Sequence, residues 1–287
     1  MSKTTNTTNP LTVEELIALG YSKEAAESIV KGATDEGGSS APFPILKLNY
    51  DQKDVLIDLG IKKGNFIHGF KVDNNTLQVT EKGEDLGNTI EFFVAGRVYQ
   101  NSQYKDGKTV VQTKLFDSAY DSKKQIDLKS GKTIGELKEA GNNDIVFNQI
   151  LLLMVKLEGG YKPFIHYMHG ANLAYFQKVM KEDFGVVNYV FQYNIKVQSK
   201  KIPTKFQPAW VFHPTSVEPR TQEDIIAAVK ETSEAVKLWD EWIKSYNNSL
   251  ADSGKGNGAT ACSKPEHKEQ VAKSVEVDDI DEEDIEF

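Results

Sequence analysis

The stretch 89-TIEFFVAGRVYQNSQYKDGKTVVQTKLF-116 decides how this chain is read. Its Asp106-Gly107 pair is a two-residue hairpin signal of the type I′ kind, because both positions tolerate the positive φ such a turn requires. Folding about it sets Tyr99 opposite Lys114, Val98 opposite Leu115 and Arg97 opposite Phe116. Side chains alternate across a strand with period two. One face then carries Phe92, Val94, Val98, Leu115 and Val111 and reads as core. The other carries Phe93, Arg97, Tyr99, Lys114 and Phe116, rings mixed with cations. Such a surface suits single-stranded nucleic acid: rings stack on unpaired bases for about 1–3 kcal/mol each, and cations hold phosphates.

Outward from this hairpin the pattern stays β. Further strands are expected at 43–50, 65–72, 76–81, 187–198 and 204–212, with helices at 133–141 and 170–182. The segment 144–160 contains 150-ILLLMV-155 and fits either a helix or a strand. Short strands with a few inserted helices predict a mainly β fold built on an OB-like small barrel, with a sandwich as the alternative. The second ring-rich stretch, 187-VNYVFQYNIKVQSKKIPTKFQPAW-210, puts Tyr189, Phe191, Tyr193 and Ile195 on one face and Lys196 on the other. Lys200, Lys201 and Lys205 follow at its turn. Tyr161 and Lys162, in 161-YKPFIHY-167, add a ring and a cation ahead of a glycine-led helix. The alternative reading of these rings is a packed core, and of the lysines a solvated loop.

The flanks differ in character. Residues 12–33 read as an N-terminal helical hairpin, joined by a Gly/Ser-rich linker ending at 41. The β body spans 42–216. One amphipathic helix is expected over 217–250, where Ile225, Val229, Thr232, Val236, Trp239, Ile243 and Tyr246 form a seam. That seam permits packing on the body or pairing between subunits, so the oligomeric state stays open. Residues 251–287 read as a disordered linker and acidic tail.

Charge is distributed unevenly. The net charge is −8, from 34 Lys and Arg against 42 Asp and Glu, yet the eight acids of 276–287 account for all of it. Between 41 and 216 there are 23 bases and 18 acids, a surplus of five. A mildly basic body with an acidic string suggests nucleic-acid contact on the body and a second role for the string. No apolar run approaches the roughly 18 residues needed to span a bilayer, and the N-terminal residues lack a signal-peptide core. A cytoplasmic protein is the expectation. A single cysteine, Cys262, excludes a disulfide framework and cysteine-cluster zinc sites. No nucleophile elbow, P-loop or HExxH occurs. His166 and His169 have a spacing that could share a metal only on a helix with a third ligand; the structural reading places them at a strand-to-helix junction.

The final residues, 278-DDIDEEDIEF-287, resemble the C-terminal tail of bacterial and phage single-stranded DNA-binding proteins, which run through aspartates to Asp-Ile-Pro-Phe. Here Glu286 replaces the proline. The resemblance implies a partner-docking tip at Ile285 and Phe287, preceded by the acidic run Asp278, Asp279, Asp281, Glu282, Glu283 and Asp284. Over roughly 42–212 the order of features is similar to phage OB-fold single-strand binders: 42-PFPILKLNYD-51, then 64-GNFIHGFKV-72, then a glycine-led helix at 170. The resemblance implies a non-catalytic protein of phage DNA replication, recombination or repair, acting in the host cytoplasm. It implies single-stranded DNA and replication or recombination proteins as partners, and no cofactor or metal. The alternatives are a phage annealing protein or nuclease, and an acidic adaptor that mimics DNA.

Overall fold

A computed structural model describes residues 41–50, 55–72, 78–105, 108–204 and 207–253. The N-terminal hairpin, the Asp106-Gly107 turn, Lys205 and the acidic tail therefore lie outside the described residues. The fold is mainly β. In order come β1 (Lys47–Leu48), α1 (Val55–Asp58), β2 (Phe66–His68), β3 (Lys71–Val72), β4 (Val79–Glu81), β5 (Glu84–Asp85), β6 (Thr89–Lys105) and β7 (Lys108–Gln112). A 3-10 turn (Ala119–Lys124) and α2 (Ile134–Glu139) lead to β8 (Val146–Leu157) and β9 (Gly160–His169). Then follow α3 (Gly170–Glu182), β10 (Tyr193–Ile202), β11 (Ala209–Pro219), α4 (Gln222–Glu231) and α5 (Ser233–Ser253). Among the described residues no helix is long and apolar enough to cross a membrane.

Six antiparallel strands make the main sheet, ordered β11-β10-β6-β8-β9 with β7 also on β6. The ambiguous segment 144–160 resolves to a strand because both its faces are covered. Leu151, Leu153 and Val155 enter one core, and Ile150, Leu152 and Met154 the other. A strand buried on both sides loses the polar alternation that identifies strands in sequence. Residues 161–167 are also strand, paired with β8 from Lys156↔Tyr161 to Asn148↔His169.

The first core, under face one of the sheet, is closed by α3 and by a small sheet β1-β2-β5. Leu46 N donates to Ile165 O, and Ile165 N donates to Pro44 O, which extends the β9 edge toward this small sheet. On its far side Phe66 meets Phe212 of β11 edge-on at 5.0 Å. Gly64, at φ 87°, lies under the Trp210 ring, where a Cβ would sit 2.6 Å from ring carbons. Strands and loops thus wrap the core, but the hydrogen-bonded seam does not close into a barrel.

The second core lies on face two, under α5. Trp239 and Trp242 are 2% and 6% exposed and pack over Phe93, Ala95, Val98, Ile150 and Leu152. Tyr246 Oη accepts hydrogen bonds from Gln100 and Gln112, and Asn247 bonds both backbone groups of Leu115. The seam therefore seats on its own sheet. The single helix expected over 217–250 is two. Thr232 donates its hydroxyl to the Ala228 carbonyl at 2.7 Å, and Ser233 donates to Lys230 O. Hydroxyls that satisfy terminal carbonyls end a helix readily. Val229, one of the seam residues, is exposed, and Ala228 is buried in its place.

Two bulges change the hairpin. One between Gln103 and Tyr104 shifts the β6–β7 register by one, so Ser102 faces Gln112, and a further residue of offset beyond β7 sets Tyr99 opposite Phe116 rather than Lys114. The other lies between Val94 and Gly96 and leaves the consecutive residues Ala95 and Gly96 both on face two, Ala95 in the second core and Gly96 against Trp239. Alternation then puts Val98 on face two and Arg97 and Tyr99 on face one. The shared exposed face expected for Phe93, Arg97, Tyr99, Lys114 and Phe116 does not form. Phe93, Tyr99 and Phe116 are buried.

Candidate nucleic-acid interface

α5 covers only part of face two. Beyond it, alternate residues of β10, Lys196, Gln198 and Lys200, are exposed. They belong to a cross-strand ladder. Tyr161 on β9 pairs with Lys156 on β8, and Lys156 Nζ bonds Glu91 Oε1 on β6 at 2.9 Å. Glu91 is opposite Lys196, which is opposite Ser216 on β11. That hydrogen bond and the Glu91 charge raise the Lys156 pKa. The next row sets Gln198 between Thr89 and His213. At the β11 edge Lys200 Nζ donates to Tyr175 Oη at 3.3 Å, and Tyr175 Oη contacts His213 Nδ1 at 3.0 Å. α3 brings Tyr175 there because Asn172, one turn earlier, accepts the edge N–H of Phe212. Burial and then the Lys200 charge lower the His213 pKa, with Asp183 opposing. The strip offers cations, amides and tyrosines on a sheet surface, a set that can hold phosphates and meet bases.

Arg97 forms a second cluster on face one. Its guanidinium carbon lies 5.6 Å from the Tyr99 ring centroid and 5.5 Å from that of Tyr189. Tyr99 stacks on Phe147 at 5.3 Å and meets Phe116 at 5.9 Å. Gln149 donates to Tyr189 Oη at 2.8 Å. Burial pushes Tyr99 up to about 12, against the lowering charge of Arg97. Burial also raises Tyr189. No carboxylate pairs with Arg97 among the described residues, so its charge is available to an anion.

Beside Phe93 lies a cation that sequence reasoning passed over. Arg220 sits 4.1 Å above the Phe93 ring, within a group that includes Tyr161 and Phe191. Its Nη2 donates to Asp224 O, while Nε and Nη1 are buried without a hydrogen-bond partner among the described residues. Phe191 holds φ 60°, a conformation uncommon for a bulky side chain. Nothing in the local sequence around Pro219-Arg220-Thr221 signals the contact, which depends on β11 ending beside the start of β10, where Arg220 N donates to Gln192 O.

The expected site residues therefore divide. Arg97, Tyr99 and Phe116 come together on face one, with the two rings buried as packing rather than displayed for stacking. Phe93 and Tyr161 meet on face two at 5.0 Å, the face on which Lys196 and Lys200 are exposed. Lys162, next to Tyr161, points to face one, where its charge acts on His68. Tyr193 packs partly against the first core, so it does not share a face with Phe191, which joins the second. Lys114 and Lys201 are exposed. Lys205, Ile285, Phe287 and the acidic run lie outside the described residues. His166 and His169 stand on opposite faces of β9 with His169 as the N-cap of α3, at the strand-to-helix junction. His166 bonds Leu46 O and stacks on Phe212 at 4.2 Å. Among the described residues no group of His, Cys, Asp or Glu could hold a metal. Family models, curated proteins and solved structures were compared with the chain, and none matches.

Proposed function

We propose that this chain binds single-stranded DNA without sequence preference, as a non-catalytic phage protein of replication, recombination or repair in the host cytoplasm. In this reading the wrapped sheet is an OB-like body, and the acidic run ending at Phe287 recruits partner proteins. The observation that carries it is the exposed row of Lys196 and Lys200 on face two, with His213 on the neighbouring strand, Tyr175 of α3 at the sheet edge and Tyr161 at the far end of the cross-strand ladder. Arg97, with rings around it and no carboxylate partner among the described residues, supplies a further cation on face one. The basic surplus of 41–216 and the separation of the acids into 276–287 agree with this division of labour.

The test is a titration of labelled oligo-dT with the full chain, followed by fluorescence anisotropy over a range of salt. Affinity falls with added salt because bound cations leave the DNA, and each lost phosphate contact reduces the log–log slope by about 0.7. The Lys196→Ala/Lys200→Ala double variant loses affinity and has a shallower slope. Removal of 276–287 leaves binding intact or strengthens it. Absence of binding at low salt refutes the reading. A truncated chain that loses affinity refutes the role assigned to the acidic run.

A further inference from the structure

Lys200, Tyr175 and His213 are linked by two hydrogen bonds at the outer edge of the sheet. Tyr175 comes from α3, and the other two from neighbouring strands. The bonding order defines what the group can do. A neutral His213 accepts the Tyr175 proton at Nδ1 and keeps its own proton on Nε2, while the Tyr175 oxygen accepts from Lys200. A second proton on the ring turns Nδ1 into a donor. The Tyr175 oxygen then accepts from both Lys200 and His213, using its two lone pairs, and its O–H is released to point elsewhere. Protonation thus converts the edge into a set made only of donors: Lys200 Nζ–H, Tyr175 O–H and His213 Nε2–H. It also raises the formal charge of the group from one to two. This is the complement of a phosphate, which offers acceptor oxygens alone.

We propose that Lys200, Tyr175 and His213 form a phosphate-holding subsite whose grip strengthens when His213 takes up a proton. This rests on the single-stranded DNA reading and deepens it. The groups facing the imidazole are Lys200 and Gln198 from β10, Tyr175 from α3 and Asp183 just beyond α3. Lys200 opposes protonation and Asp183 favours it, so the free ring titrates below its ordinary value. A bound phosphate adds a negative charge and raises the ring's pKa in the complex. Binding and protonation are therefore linked. Affinity rises as pH falls through the bound-state pKa and levels off below the free-state pKa.

The experiment measures binding of rhodamine-labelled oligo-dT to the full chain by anisotropy, from about pH 8 to about pH 5.5. The wild-type chain gains affinity as the pH falls, by up to about tenfold per unit of pKa displacement. His213→Gln, which keeps a polar side chain without a titrating proton, loses most of that gain, and Tyr175→Phe reduces it. Independently, the His213 ring signal in NMR titrates at higher pH when oligo-dT is present. A wild-type chain that binds oligo-dT with the same pH response as His213→Gln, or a His213 titration unmoved by the oligonucleotide, overturns the subsite and leaves the DNA reading standing. A chain that fails to bind oligo-dT at any pH overturns both.

Discussion

Gly96 is the point at which the helix α5 touches the bulged strand β6, and a single methyl there tests how face two is packed. A Cβ built on Gly96 would stand 2.9 Å from Trp239 Nε1, 3.2 Å from its Cδ1 and 3.4 Å from Leu152 Cβ. The Trp239 ring is 2% exposed, so it has little room to retreat. Overpacking of this kind costs about 1–3 kcal/mol. Gly96 is not at positive φ, so alanine fits its backbone and contributes about 0.4–1 kcal/mol through the unfolded chain. The net expectation for Gly96→Ala is a loss of about 1–2 kcal/mol. Trp239→Ala alone costs about 3–5 kcal/mol. With the ring gone the added methyl keeps the contact with Leu152 Cβ at 3.4 Å without the indole clash, and Gly96→Ala becomes neutral or stabilising in that background. The sign of the effect therefore reverses between the two backgrounds. Urea unfolding followed by far-UV circular dichroism reads this cycle without depending on tryptophan signals. Equal effects of Gly96→Ala with and without Trp239 would refute the docking of α5 on face two.

Asp127 accepts hydrogen bonds from Ser130 Oγ, Ser130 N and Gln112 N, tying the loop after the 3-10 turn to β7. Burial raises its pKa, but these bonds outweigh it and hold the carboxyl below its ordinary value. The stabilisation is therefore present above the unfolded pKa and is lost as pH falls through the folded one. Asp127→Asn costs about 1–3 kcal/mol at neutral pH, and the difference from wild type shrinks in acid when urea midpoints are compared. His166 is fully enclosed, and burial lowers its pKa from 6.5 to about 4. The unfolded chain binds the extra proton first, so stability is complete above 6.5 and falls progressively toward pH 4. His166→Phe removes this share of the acid loss, up to about 3 kcal/mol, in a pH series of urea unfolding curves. An unchanged acid slope in His166→Phe would mean that the ring is not held neutral against Phe212.

The sequence alone is enough to read a mainly β body, the helix Gly170–Glu182, and the apolar seam of Val236, Trp239, Ile243 and Tyr246 along the last helix. These follow from short-range physics: β-branched and aromatic runs, a glycine-led start, and recurrence of apolar residues at helical spacing. Which ring faces which side was not legible. Two single-residue bulges in and around β6 exchange the faces of everything downstream, and a bulge leaves no mark in composition. For the same reason Phe93 joins Arg220 instead of Arg97, a contact between residues more than a hundred positions apart. The pattern of Val146–Leu157 fits a strand or a helix in sequence, since a fully buried strand and a buried helix share one apolar pattern. The Lys200–Tyr175–His213 group likewise assembles from three elements, and only the tertiary structure decides it, because hydrogen bonds between distant segments depend on strand order and register.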